Sequence, residues 1–212
     1  IIFAKYFKYI MELKQRIIKE SRCLFSRFGI KCISMDDISQ KLGISKKTLY
    51  QEVTDKNELV NEVVADILNS ERVALEEIFK SSEGAIDEMI KITQHVIQLL
   101  SSINLATLLD LQRHHPALYD KIKKYQHDFI YKVIRNNLEK GMTEGIYRDD
   151  LNADVVAKLY LTKAMTIADE TVFPTDKYNK TTIFVEHVIY HLKGVISEKG
   201  TKFLNQYIQT IQ

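Results

Sequence analysis

The stretch SMDDISQKLGISKKTLY, residues 34–50, contains two short amphipathic segments separated by a glycine. Ser34 is a good N-cap residue, and the two aspartates that soon follow it suit the positive end of a helix dipole. Gly43 can adopt the left-handed conformation that ends a helix, and Ser45 is placed to cap a second helix over residues 46–52. The pattern predicts a helix-turn-helix, although an ordinary corner between two helices has the same local signals.

Apolar residues at three- and four-residue spacing predict further helices on both sides of this stretch. The preceding helix is predicted at about 12–28, with Gly29 as its end, and a long helix is predicted at about 57–80. Additional helices are predicted at roughly 85–101, 104–114, 117–140, 153–172 and 181–198, with a last segment near 201–211. Four residues are expected at the ends of these helices, namely Pro116, Gly141, Gly145 and Asn152.

The composition limits the fold classes that are open to this chain. Its 212 residues include only 2 Pro and 7 Gly, whereas all-β folds use both in turns and dinucleotide-binding folds use glycine in phosphate loops. A hydrophobic content of 45% with 27% charged residues excludes a disordered chain. The longest stretch without charged side chains, 92–109, contains several polar residues and makes a poor membrane span. With two cysteines, Cys23 and Cys32, and no recognisable signal peptide, the sequence predicts an all-α, soluble, cytoplasmic protein.

The net charge of +2 is distributed unevenly along the chain. Residues 11–56 contain ten Lys or Arg and six Asp or Glu, a local excess of +4, whereas the other residues include 20 Lys or Arg and 22 Asp or Glu. An excess of this size is also typical of a solvated helical face. It indicates nucleic-acid binding only if the basic side chains share one DNA-sized surface.

Residues 17–59 resemble the N-terminal DNA-binding domain of the TetR family of transcriptional regulators. The matching residues, all at the correct spacing, are Leu24, Phe25, Gly29, Ser34, Met35, Ile38, the run LGISKKTLY at 42–50, Lys56, Glu58 and Leu59. The rest of the chain resembles the family only in being helical and of the right length. The resemblance implies an all-α fold, in which an N-terminal three-helix helix-turn-helix domain (1–56) is joined to a larger helical ligand-binding and dimerisation domain (57–212).

The resemblance implies that the short helix after Ser45 is the recognition helix, which lies in the major groove of DNA. Lysine and threonine side chains at its N-terminal end would reach base edges or nearby phosphates, and lysine suits the acceptors of guanine. A tyrosine hydroxyl, a lysine before the long fourth helix and the serine cap of the second helix would contact phosphates. The predicted DNA-binding residues are Ser34, Ser45, Lys46, Lys47, Thr48, Tyr50 and Lys56. Solvated charge for the lysines and core packing for Tyr50 are the alternative interpretations.

Two departures from the family pattern lie at the end of the recognition helix. Glu52 stands where family members often have Tyr or His, and a carboxylate facing phosphate is unfavourable, so one usual backbone contact is predicted to be missing or turned away. Val53 stands where Phe is common, and this smaller core residue leaves the fold intact. Met11 begins a run, MELK, that resembles a natural family start. Residues 1–10 are therefore either a genuine extension or upstream sequence.

The resemblance also implies a symmetric homodimer, because one recognition helix makes too few base contacts for strong specificity. In the family the last two large helices form a four-helix interface with their symmetry mates, and here these are 153–172 and 181–198. The candidate dimerisation residues are Leu159, Ala164, Ala168, Phe184, Val188, His191 and Val195. Apolar residues on more than one stripe of a helix indicate two buried faces, although packing within one chain is the alternative.

A regulatory pocket for a small molecule is implied among the helices between the fourth and the eighth. The candidate lining residues are Leu105, Leu109, Tyr125, Phe129, Leu161 and Met165, each of which could equally be plain core. Their chemistry favours a small, largely apolar effector. The predicted function is a dimeric repressor that such a ligand releases from a palindromic operator in double-stranded DNA. The alternative is a ligand-independent nucleoid or division factor that binds DNA and acts through a protein partner.

Motifs for catalysis or metal binding are weak in this sequence. His187 and His191 are one helical turn apart, as in a metal-binding pair, but only Glu186 accompanies them, and we interpret them as interface residues. The chain contains no phosphate loop, nucleophile elbow, His-Glu-x-x-His run or Glu-x-x-His pair. The sequence therefore predicts no enzymatic activity, no cofactor, no metal site and no membrane partner.

Overall fold

The computed structural model describes residues 2–102, 105–167 and 169–211, with side chains described for 12–101, 106–125, 127–167 and 169–204. The helices are α1 (Ile2–Phe28), α2 (Met35–Leu42), α3 (Lys46–Glu52), α4 (Lys56–Ser81), α5 (Ala85–Ser102), α6 (Leu105–His114), α7 (Pro116–Tyr125), α8 (Tyr131–Thr143), α9 (Ala153–Thr166), α10 (Lys180–Val195) and α11 (Glu198–Ile211). A π-helical turn, Gln126–Ile130, joins α7 to α8. The described ranges contain no strand, only one antiparallel bridge between Tyr147 and Ile196. The predicted all-α fold with an N-terminal helix-turn-helix is confirmed.

Local hydrogen bonds define the helix ends of the helix-turn-helix. Ser34 Oγ accepts the Asp37 N–H, and the Asp37 carboxylate accepts the Ser34 N–H, which together form a capping box. Gly43 has a φ of +65°, the left-handed conformation that ends α2. Ser45 Oγ accepts the Thr48 N–H at the start of α3. The predicted ends of α2 and α3 are therefore confirmed.

Other helix ends differ from the predicted ones. The helix predicted at 117–140 is interrupted by the π-helical turn, which contains one extra residue that apolar periodicity does not reveal. The helix predicted at 153–172 ends at Thr166, because the Asp169 carboxylate accepts the Thr171 N–H and forms a turn instead. α1 begins earlier than predicted, at Ile2.

The packing of the chain separates it into two compact units. The first unit comprises Ile1–Arg72 and Ser102–Ile122, and the second comprises Val73–Ser101 and Lys123–Gln212. The predicted domains, 1–56 and 57–212, divide the chain by role and stay a prediction. The packing boundary differs from theirs because most of α4, together with α6 and most of α7, belongs to the first unit.

The first unit has its own apolar core, which α1, α2, α3 and α4 build together. Ile17, Ile38, Leu49 and Leu59 are completely buried in it, one from each of these helices. Leu111 from α6 also lies in this core. The short recognition segment is therefore supported on one side by a packed scaffold.

The second unit combines an apolar core with a buried polar network. Asn137 donates to the carbonyl oxygen of Ala85 at 2.8 Å and to the Glu88 carboxylate at 2.9 Å, and Lys140 pairs with the same carboxylate at 2.8 Å. The Tyr147 hydroxyl donates to Asn137 Oδ1 at 3.1 Å. Because every member of this network has a partner, its burial is compatible with a stable core.

Gly141 lies inside α8, whereas the sequence places it at the helix end. A Cβ at this position would lie 2.1 Å from the nearest ring carbon of Tyr147, so only glycine allows that ring to reach its buried position. The other predicted terminal residues are confirmed, since Pro116 begins α7, Gly145 follows α8 with a φ of +67°, and Asn152 caps α9.

Among the described residues no single helix is long and apolar enough to cross a membrane, although Ala85–Ser101 and Ala106–His114 reach that length and composition together.

Candidate nucleic-acid interface

The α3 helix presents almost all of its side chains to solvent. Leu49 is its one buried residue, and it anchors the helix to the core of the first unit. Lys46, Lys47 and Tyr50 are exposed, and Thr48 is half-buried. A short, rigidly supported helix with an outward polar face has the geometry of a recognition helix that enters the major groove.

Lys46 forms an ion pair with α2. Its Nζ lies 2.7 Å from Asp36 Oδ1, and both side chains stay more than half exposed. The hydrogen bond to Asp36 raises the pKa of Lys46 above its ordinary value. Lys46 is therefore charged, and Asp36 competes with a base or a phosphate for its ammonium group.

The hydroxyl groups predicted to bind DNA already have partners within their own caps. Ser34 Oγ donates to Asp37 Oδ2 at 2.6 Å, so the single hydroxyl proton of Ser34 is already used. The hydroxyls of Ser45 and Thr48 are 2.7 Å apart and share a hydrogen bond. Phosphate contacts from these three residues remain predictions. A contact from Ser34 requires an exchange of hydrogen bonds, whereas the Ser45–Thr48 bond uses only one of the two hydroxyl protons.

The start of α4 carries Lys56 and two acidic side chains. Asp55 Oδ1 accepts the Glu58 N–H at 2.8 Å, and Glu58 accepts both the N–H and the hydroxyl of Thr54, which lowers the pKa of Glu58. Burial lowers the pKa of the half-buried Lys56, and the negative charge of Asp110 opposes this effect. Lys56 keeps a position next to the helix terminus, as a phosphate-binding lysine requires.

The remaining acidic residue, Glu52, is half-buried at the C-terminal end of α3. Its predicted effect on a backbone contact to DNA stays a prediction. Residues 30–60 contain five lysines and five acidic residues, so this segment has no net positive charge. DNA binding by this surface depends on where individual lysines point rather than on bulk charge.

The sequence did not reveal that α6 supports the DNA-binding unit. Thr107 Oγ1 donates to the carbonyl oxygen of Phe25 at 2.6 Å, and Asp110 Oδ2 accepts the Lys31 N–H at 2.7 Å. Gly29, which has a φ of +84° between these two bonds, packs closely against α6. Both bonds join residues about 80 positions apart, so no local pattern indicates them.

The predicted ligand-binding residues are divided between the two units. Leu109 belongs to the first unit, and the side chain of Leu105 lies outside the described residues. In the second unit Tyr125 and Phe129 stack with ring centroids 5.1 Å apart, on either side of the start of the π-helical turn. Leu161 is buried and Met165 is half-buried on α9. Their role in binding a ligand stays a prediction.

Most of the predicted dimerisation residues that the structure describes are buried within the single chain. Phe184, Val188, His191 and Val195 all lie in the interior of the second unit, and a role for them in dimerisation stays a prediction. Leu159 is 55% exposed and Ala164 is half-buried, whereas Ala168 lies outside the described residues. Apolar periodicity predicted the buried face of α10 correctly, and in the single chain this face packs in the core of the second unit.

The two histidines of α10 pack against Tyr160. Its ring centroid lies 4.4 Å from that of His187 and 4.7 Å from that of His191, and both Nε2 atoms are buried without a hydrogen-bond partner. Burial, with a contribution from the charge of Lys163, lowers the pKa of His187 to about 4. Burial, with contributions from His187 and Lys163, lowers the pKa of His191 to about 3. Both imidazoles are therefore neutral at pH 7. Across the described residues, no three His, Cys, Asp or Glu side chains are grouped so that they could hold a metal ion.

The supported α2–turn–α3 segment with its exposed recognition helix defines a helix-turn-helix DNA-binding protein. Residues 17–63 match the family model of bacterial regulatory proteins of the TetR family. The chain is 19% identical over 203 residues to the transcriptional repressor KstR2 of Mycolicibacterium smegmatis. This alignment covers 89% of this chain and 93% of that protein. It is 26% identical over 116 residues to the uncharacterised regulator YvaF of Bacillus subtilis, with 55% of each chain covered.

Solved structures of similar fold are also regulators. The ketosteroid regulator KstR2 of Mycobacterium tuberculosis has a TM-score of 0.58 at 17% identity, with 87% of this chain and 95% of that chain covered. A regulator from Saccharomonospora viridis in complex with choline has a TM-score of 0.70 at 15% identity, with 89% and 100% covered. Residues 17–63 are thus similar to the DNA-binding domain of TetR-family regulators, and the relatives and solved structures named above are transcriptional regulators.

Proposed function

We propose that this chain is a homodimeric repressor that binds a palindromic operator and that a small, largely apolar ligand releases it from the DNA. The observation that carries the proposal is the exposed face of α3, which has two adjacent lysines at its N-terminal end and a buried Leu49 that fixes its orientation. Repression is the expected outcome, because a dimer bound over a promoter excludes polymerase. The predicted cytoplasmic location stays a prediction.

An exposed apolar face on α9 and α10 supports the dimer. Val155, Leu159 and Tyr190 are 47%, 55% and 68% exposed, although large apolar side chains are usually buried. Lys163 Nζ lies 4.5 Å from the ring centroid of Tyr190, so the lysine covers part of that ring. A second copy of the same face would bury these side chains, and the resulting two-fold symmetry would match a palindromic operator.

The aromatic pair at the π-helical turn supports an apolar ligand. Tyr125 and Phe129 provide stacked ring surface, and π-helical turns inside helices occur frequently at functional sites. The structural neighbours suggest two ligand classes, because one of them is a ketosteroid regulator and another binds choline. The aromatic surface favours the bulky apolar class for this chain.

For a ligand to release the repressor, the ligand must bind more tightly to a conformation in which the recognition helices of the dimer do not fit the operator. A coupling free energy of about 1–3 kcal/mol is typical and would weaken operator binding roughly 5- to 150-fold. The bonds from Thr107 and Asp110 to the end of α1 support a route for such a change, because a shift of α6 would move the residues that precede α2.

Selection from a pool of random duplex DNA at two salt concentrations tests the proposal. We expect an enriched palindromic site whose affinity falls steeply as salt is raised, since each released counterion contributes to that slope. The selected duplex then serves to test a ketosteroid and choline for release. No enriched site, or binding that is indifferent to salt, would overturn the DNA-binding proposal. Release by neither compound, nor by a wider apolar library, would favour the alternative of a ligand-independent DNA-binding factor.

A further inference from the structure

Asp36 lies in the first turn of α2, and its carboxylate contacts the first residue of α3. The cap of α2 does not need this carboxylate, because Ser34 and Asp37 complete the capping box by themselves. The side chain of Asp36 instead reaches Lys46, whose Nζ lies 2.7 Å from its Oδ1. The first lysine of the recognition helix is thus paired with an acidic residue from the neighbouring helix.

We infer that Asp36 is a specificity-determining residue that weakens binding to DNA lacking the correct base sequence by holding the Lys46 ammonium in the free chain. The inference rests on the proposed DNA-binding function. Any duplex must compete with Asp36 for the Lys46 ammonium and bring phosphates towards a carboxylate, which repels them. An operator compensates for this cost with base acceptors that lie where Lys46 can reach them in the major groove, whereas other sequences do not place acceptors at that position.

Because the local charge is balanced, one carboxylate can change how strongly this segment binds any DNA. Residues 30–60 contain equal numbers of lysines and acidic residues, so the segment lacks the large positive excess with which many proteins bind any DNA. With Lys46 held by Asp36, the other lysine of α3 is the exposed Lys47. Removal of the Asp36 charge would leave two adjacent lysines available to phosphate.

The size of the effect is bounded by the exposure of the pair. Both side chains are more than half exposed, and exposed ion pairs are weak. We therefore expect Asp36→Asn to strengthen binding to non-operator DNA by about two- to fivefold. Binding to the operator should change less, so the ratio of the two affinities should fall.

The test measures the affinity of the full-length protein for two fluorescent duplexes, the palindromic site selected above and a shuffled duplex of the same composition. Asp36→Asn is compared with Asp120→Asn, which changes the net charge equally at an exposed position on α7 of the same unit. In addition to the stronger binding, the slope of log K against log salt on the shuffled duplex should steepen by about 0.9, which corresponds to one additional phosphate contact. Asp36→Glu should restore the discrimination of the wild type.

The Lys46→Gln background shows whether Asp36 acts through Lys46. There, the effect of Asp36→Asn should shrink to that of Asp120→Asn. An undiminished effect in this background, or Asp36→Asn equal to Asp120→Asn in the wild type, overturns the inference. Thermal unfolding midpoints show that the variants compared are equally folded. Failure of the wild type to bind any selected duplex would instead overturn the proposed function, so the two failures are distinguishable.

Discussion

The helix-turn-helix of the first unit and the polar network of the second unit differ in the range of the hydrogen bonds that define them. In α2 and α3 of the first unit, hydrogen bonds join residues three positions apart, as between Ser34 and Asp37 and between Ser45 and Thr48. In the second unit the polar network joins positions about 50 apart, as between Glu88 and Lys140. Local hydrogen bonds can be predicted from neighbouring residues of the sequence, whereas distant ones cannot. The ends of α2 and α3 are consequently predictable from the sequence, and the polar network of the second unit is not.

The largest expected effect concerns the buried core of the second unit. Helix propensity alone predicts that Gly141→Ala stabilises α8 by about 1 kcal/mol. Because the new Cβ would lie 2.1 Å from the ring of the buried Tyr147, we expect a loss of about 3 kcal/mol or more in the free energy of unfolding, measured by urea denaturation. Gly194→Ala in α10 is the matched control, since its Cβ would meet no atom within 4 Å. That change should be neutral or stabilising, and equal stability of the two variants would contradict the prediction.

The next prediction concerns the exposed helix α3 of the first unit. Lys47→Ala should weaken binding to the selected operator by about 10- to 100-fold, because a lysine contact to a base edge is lost. Fluorescence anisotropy measures the affinity, and the unfolding midpoint should not change, since Lys47 is exposed. Lys121→Ala on α7 removes the same charge from another exposed position and should have a much smaller effect. Similar losses from both variants would show that Lys47 acts only through net charge.

The buried histidines predict a pH dependence of stability. The pKa of His191 is about 3 in the folded chain and about 6.5 when unfolded, so the unfolded state binds more protons between these values. Stability is therefore complete above pH 6.5 and falls as the pH drops, by about 1.4 kcal/mol per pH unit for this group. Tyr160 and His187 pack around it, and the Lys163 charge adds repulsion. His191→Gln should lose less stability than the wild type between pH 7 and pH 5.5, and an unchanged pH dependence would disprove the assignment.

The smallest expected effect compares one distant hydrogen bond with one local bond. Thr107→Val removes the hydroxyl that donates to the Phe25 carbonyl, which keeps its bond from the Gly29 N–H, and the loss of this one hydrogen bond should cost about 1 kcal/mol. Thr143→Val removes an exposed bond to Glu139 within the same helix and should change stability little. Urea denaturation of both variants measures the difference. An equal loss from both would remove the distinction between local and distant bonds.

The helix-turn-helix was predictable because each of its ends depends on one residue type at one position. Gly43 and Ser45 determine the turn locally, so the bounds of α2 and α3 agreed with the structure. The end of α9 was missed because Asp169 caps a turn through its side chain, which apolar periodicity cannot detect. The buried face of α10 was recognised, but the pattern does not say whether an apolar residue such as Val188 packs inside its own chain or against a partner.

The candidate site was predictable in its residue types but not in its existing partners. The sequence indicated Lys46 and Ser34 as DNA-binding residues, and the structure shows that Asp36 and Asp37 already occupy them. Side-chain partners on a neighbouring helix depend on the angle between the helices, which the sequence does not state. The contribution of α6 was missed for the same reason.

The first unit is assembled from two separate parts of the chain, Ile1–Arg72 and Ser102–Ile122, and this arrangement has a consequence for protein synthesis. At roughly 5–20 residues per second, the ribosome needs about 3–10 s to add the 50 residues from Arg72 to Ile122. For most of that interval the helix-turn-helix has been synthesised, whereas Thr107 and Asp110, which bond to the end of α1 and the following turn, have not been added. The nascent first unit therefore lacks part of its core and two of its hydrogen bonds until the second part of the unit has been synthesised.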